Sequence, residues 1–133
     1  MGKTIEPISV LHAFLEAVEG RDAAAVASMF CEDGTFQNVP YVEVRGRTDI
    51  ESLFAPILGS SERVEWELVS VAVSESRLHY ERVDRFWIRG EVYAVECHAV
   101  IEVDTERGLI RTWRDYVDLG RWRATLGGVL DSI

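Results

Sequence analysis

The sequence predicts a single α+β domain in which about three N-terminal helices pack on a strongly curved, mostly antiparallel sheet. Three observations predict it. Apolar residues recur at helical spacing as far as Leu58, apolar and polar residues alternate from Val64 to Asp118, and the turns between the alternating stretches are short enough for hairpins. Helices first and strands later let amphipathic helices cover one face of the sheet. A length of 133 residues suits one core, and residues 1–133 contain no repeat, linker or low-complexity tract.

Val10, Leu11, Phe14, Leu15 and Val18 form the stripe of a first helix, with Glu6-Pro7 as N-cap and N1 and Gly20 as stop. Asp22 is placed to cap a second, shorter helix with Val26, Ala27 and Phe30 on one side, which Glu32-Asp33-Gly34 should break. A short strand from Thr35 to Val39 follows, with Phe36 and Asn38 on one face and Gln37 on the other, ending at Pro40. Thr48-Asp49-Ile50-Glu51 has capping-box spacing ahead of the stripe Ile50, Leu53, Phe54, Ile57 and Leu58. Pro56 should kink or loosen this third helix, and Gly59-Ser60-Ser61 should end it. Four strands are expected at about 64–73, 77–89, 91–104 and 108–118. The segment 121–133, with Trp122, Leu126, Val129 and Leu130, reads as a short cap on the open end of the core or as a contact with a second subunit, and Gly127-Gly128 should interrupt any helix there.

Composition narrows the function. Fourteen Lys and Arg against twenty-three Asp and Glu give a formal charge of −9, which works against nucleic acid, whose phosphates are neutralised by basic side chains. No apolar run reaches membrane-spanning length, and Met1 to Pro7 lack the apolar stretch of a signal peptide, so no membrane partner is expected and the cytoplasm is the expected compartment. Cys31 and Cys97 have neither Cys-x-x-Cys spacing nor neighbouring histidines and read as small buried hydrophobes. His12 lies on a helix, and His79 and His98 fall on the more polar faces of their strands, so no metal site is expected.

The period of two places Leu78, Tyr80, Arg82, Asp84, Phe86 and Ile88 on one side of their strand, an apolar side interrupted by two charges. The next strand contributes the apolar row Tyr93, Val95, Cys97, Ala99, Ile101 and Val103. In the last, Leu109, Arg111, Trp113, Asp115 and Val117 share a face. Two carboxylates and a guanidinium would then meet in an apolar cup. An unpaired buried charge costs several kcal/mol, so these three need partners. Parity leaves open a structural ion pair that holds strand register and a working site.

Three motifs, Phe36-Gln37-Asn38-Val39-Pro40, Glu81-Arg82-Val83-Asp84 and Trp113-Arg114-Asp115-Tyr116, occur in the order and approximate spacing found in the limonene-1,2-epoxide hydrolase family. The chain resembles that family, and the wider NTF2-like or SnoaL-like group, over nearly its whole length. The resemblance implies an NTF2-like cone and a cofactor-independent hydrolase that adds water to a small, largely apolar epoxide in one step, giving a vicinal diol. It implies Asp84 as the general acid, Asp115 as the base, Arg82 as the bridge between them and Asn38 as a holder of the water. The family commonly has a water-binding tyrosine where Phe36 stands, so either Asn38 and Asp115 position the water alone, or Tyr80 or Tyr93 supplies a phenol instead, or the activity is weaker or different. The expected cup is formed by Phe36, Tyr80, Phe86, Val95, Cys97, Ala99 and Val117, with Trp113 beside Asp115.

Two other readings share the fold: a SnoaL-like isomerase, dehydratase or polyketide or polyether cyclase, and a noncatalytic ligand-binding or dimerisation module. The opposite face of the 77–89 strand, with Val83 and Trp87, is the expected homodimer surface, as in related proteins.

Overall fold

The computed structural model describes residues 3–133; Met1 and Gly2, at the start of the N-terminal segment, lie outside the described residues. Helix α1 (Pro7–Glu19) begins as expected, with Pro7 at its first position, where a missing N–H costs nothing, and it buries Val10, Leu11, Phe14 and Val18. Helix α2 (Ala23–Ser28) is capped by Asp22, whose carboxylate accepts the Ala25 N–H at 2.9 Å.

The second helix stops sooner than expected. Phe30 already belongs to strand β1 (Phe30–Val39), and Glu32-Asp33-Gly34 is an irregularity inside that strand rather than a break before it. The cause is non-local: Phe30 is opposite Ile110, and the Ile110 N–H donates to the Met29 carbonyl at 2.8 Å. Gly34 lets the bend close, since a Cβ there would stand 3.0 Å from the Cys31 carbonyl oxygen and 3.1 Å from that of Ile110. Strand β2 (Val44–Arg45), which the sequence reading did not include, pairs antiparallel with β1.

Helix α3 (Arg47–Ser60) opens one residue before Thr48, from Gly46 at φ 89°, with no side-chain cap; the expected capping box is not used. Arg47 instead donates through Nε to the Phe30 carbonyl at 2.8 Å, tying the helix start to β1. The helix continues through Pro56 and Gly59 to Ser60, burying Ile50, Phe54 and Leu58.

Strands β3 (Arg63–Ser74), β4 (Arg77–Ile88), β5 (Glu91–Asp104) and β6 (Leu109–Tyr116) fall close to the expected boundaries. The sheet runs β2-β1-β6-β5-β4-β3, antiparallel except between β1 and β6, and it curls without closing. All six predicted inward residues of β4 are buried. On β6 the alternation slips: Glu102 faces Thr112 and Val103 faces Ile110, so Arg111 drops out of register. Ile110 is therefore buried with Trp113 and Asp115, while Arg111 turns outward to Asp104 at 3.1 Å, and Leu109 and Arg111 do not share the Asp115 face.

The C-terminal segment is helical through its glycines: α4 (Leu119–Trp122), a π-helical turn (Arg123–Gly127) and α5 (Gly128–Asp131). Gly127 and Gly128 both keep right-handed helical angles, so they do not interrupt it. Leu126 and Val129 are buried against the core, as a cap requires. No helix among the described residues is long and apolar enough to cross a membrane.

Candidate active site

The β4 parity puts Arg82 and Asp84 inside, and the pairing order β4-β5-β6 brings Asp115 to the same face from 33 residues away. Arg82 is 1 % exposed. It binds Asp84 through Nε at 2.6 Å and Nη2 at 3.0 Å, and Asp115 through Nη1 and Nη2, both at 2.8 Å. Planar fork geometry makes Arg the side chain able to hold two carboxylates at once. Its guanidinium also lies 4.2 Å from the centre of the Trp66 ring.

The two acids are not equivalent. Asp115 accepts two Arg82 bonds and a third from the Trp113 indole N–H at 2.6 Å. Asp84 accepts two from Arg82 and, among the described residues, beyond these only a long S–H contact from Cys97 at 3.5 Å. With both ionised the triad carries a net −1 in an apolar setting, so one proton neutralises it. Donors stabilise the charged form, and Asp84 has the weaker set. Burial pushes the Asp84 carboxyl up to about 6, against the opposing pull of Arg82. Burial and the neighbouring carboxylates hold Cys97 as a thiol.

A cavity of about 190 Å³ opens onto this triad. Of the expected wall residues, Phe36, Phe86, Val95, Cys97 and Val117 line it, and Asn38 lines it beside Asp115, its direct cross-strand partner. Tyr80, Ala99 and Trp113 do not. All three are fully buried behind the wall, Trp113 supporting Asp115 and Tyr80 directing its hydroxyl to the Trp66 carbonyl at 3.5 Å. Tyr93 is also outside the lining, so neither phenol stands in for the hydroxyl that Phe36 lacks. The sequence reading missed the far wall. Leu53, Phe54 and Ile57 of α3, Trp66 of β3, and Trp122, Leu126 and Leu130 of the C-terminal segment complete it. Periodicity puts Leu53, Phe54 and Ile57 on one apolar stripe without telling core from cavity, and the C-terminal three read as a cap or a subunit contact.

His12, His79 and His98 are exposed, and no cluster of metal-binding side chains occurs among the described residues.

Solved structures place this arrangement among known folds. An LEH-like epoxide hydrolase from M. tuberculosis is 26% identical, with 96% of this chain and 94% of that one covered at a TM-score of 0.77. A protein from Shewanella denitrificans assigned to the SnoaL-like polyketide cyclases superposes at a TM-score of 0.79, over 92% of this chain and 97% of that one, with 9% identity. A protein of ketosteroid isomerase-like fold from Catenulispora acidiphila gives 0.74 at 22% identity, over 89% and 92%. The last two share the fold alone. A model of the limonene-1,2-epoxide hydrolase catalytic domain matches residues 5–123, the span from the first helix to the last cavity-lining strand and beyond, and the chain belongs to that family.

Proposed function

We propose that the protein is an epoxide hydrolase that adds water to a small, largely apolar epoxide in one step and needs no cofactor. The observation that carries this reading is the buried Asp84–Arg82–Asp115 relay, with fewer donors on Asp84 than on Asp115, at the wall of an otherwise apolar cavity. Asn38 and Asp115 hold a water between them. As its oxygen attacks a ring carbon, Asp115 takes its proton, the carbon–oxygen bond breaks, and Asp84 passes its own proton to the departing oxygen. The alkoxide is a poor leaving group, so proton donation and water activation in one step lower the barrier together. Asp115 gains a proton as Asp84 loses one, so the total charge of the two acids is unchanged and Arg82, bonded to both, stabilises it before and after; one proton must return from Asp115 to Asp84 before the next turnover.

Single turnover of an epoxide panel in ¹⁸O-labelled water tests the reading: label should enter the first diol directly, and label entering the protein first would reject it. Phe36 supports a second reading, in which a hydroxyl of the substrate replaces water as nucleophile and the product is an unlabelled cyclic ether. We further propose that two copies pair through the outward face of β4, where Val83 and Trp87 are half-buried.

A further inference from the structure

Resting on the hydrolase reading, we propose that the indole N–H of Trp66 is a second donor to the oxygen of the bound epoxide, beside Asp84. Trp66 is 5 % exposed and lines the cavity, and its Nε1 has no hydrogen-bond partner among the described residues. A buried indole N–H ordinarily finds an acceptor. The other partnerless buried side-chain atom among the described residues, Thr112 Oγ1, is not part of the cavity wall.

The ring is held in place. Arg82 stacks on it, Phe14 and Phe54 flank it with ring centres at 5.8 and 6.2 Å, and its backbone N–H donates to Glu19 Oε2 at 3.1 Å. Trp66 and Asp84 are direct cross-strand partners, while Asn38 and Asp115 are direct partners on β1 and β6, on the other side of β5. The two donors therefore belong to one side of the cavity and the water-holding pair to the other. Water attacks a ring carbon opposite the bond it breaks, so the oxygen side of the substrate meets β3 and β4. An epoxide oxygen has two lone pairs; the Asp84 O–H takes one and the indole N–H the other. The second bond strengthens as negative charge gathers on the oxygen, and its proton stays on nitrogen throughout.

The test pairs two unreactive ligands of like shape, tetrahydropyran and cyclohexane, with ¹⁵N-labelled protein. The four tryptophans give four indole signals, and the one absent from Trp66→Phe is assigned; Trp66→Tyr serves if that variant does not fold. Tetrahydropyran should move the Trp66 indole proton downfield and cyclohexane should not. Relative to cyclohexane, whose binding reports the change in wall shape, the variant should bind tetrahydropyran about tenfold more weakly, the effect of one hydrogen bond. Equal shifts with both ligands, or equal weakening of both, would overturn the proposal. If wild-type protein opens no epoxide yet shows the shift, the hydrolase reading falls and the donor stands. Epoxide opening without the shift means the reverse.

Discussion

Replacing Asp84 by asparagine keeps the side chain's size and removes its transferable proton. Turnover should fall at least about a hundredfold, the usual contribution of a positioned general acid. The same variant reports on the triad's electrostatics. Carrying a carboxyl 5 % exposed from 3.8 to about 6 corresponds to roughly 3 kcal/mol. The folded protein holds this proton more tightly than the unfolded chain, so the group's stabilisation is full below pH 3.8 and is lost as pH rises through about 6. Asparagine does not titrate. Its carbonyl keeps the bond from Arg82 Nε, and its amide nitrogen faces Nη2 without accepting, as the protonated oxygen of the neutral acid does. Asp84→Asn should therefore match wild type in stability at pH 4 and exceed it by about 2 kcal/mol at pH 7.5, where the wild-type carboxyl has lost its proton inside the fold. Urea unfolding at the two pH values, followed by tryptophan fluorescence, measures both. A stability difference that does not change with pH, or a variant that turns over like wild type, would refute the reasoning.

Four further outcomes are expected. Asp115→Asn should cost at least about a hundredfold in turnover with the far-ultraviolet dichroism of wild type, because the base is lost while the Arg82–Asp84 pair remains. In a pH–rate series the wild-type rate should fall tenfold per pH unit above about 6, as Asp84 loses the proton it donates; a flat profile from pH 6 to 8 would rule out that acid. Arg82→Met leaves two buried carboxyls without their shared cation and should destabilise the fold by about 3–5 kcal/mol in denaturant titration. Sedimentation at micromolar concentration should give a particle twice the 15.0 kDa chain mass, and a monomer would count against pairing through β4.

The part of the site that lies on one strand was legible in advance. Alternation along β4 placed Arg82 and Asp84 inward with four apolar neighbours, because side-chain direction in a strand is a property of that strand's own backbone. The same rule failed on β6, where the bulge opposite Glu102 and Val103 moved Arg111 outward and Ile110 inward. A bulge belongs to a pair of strands, and nothing near Arg111 in the chain announces it. Spacing alone puts Phe30 on a helix for a similar reason: its strand partner is Ile110, eighty residues later by number. Gly127 and Gly128, read as a break, remain helical because Leu126 and Val129 on either side are held against the core.

The order of helices and strands, the apolar faces and the presence of charges among them follow from the amino-acid sequence, since each depends on spacing within one element. Which carboxyl has the fewer donors, which apolar residues border space rather than one another, and which indole N–H among the described residues is left without an acceptor were decided only by the tertiary structure. Those properties depend on distances between residues far apart in the chain, and such distances exist only once β6 lies beside β5, the helices cover the sheet, and water has been displaced from around Arg82.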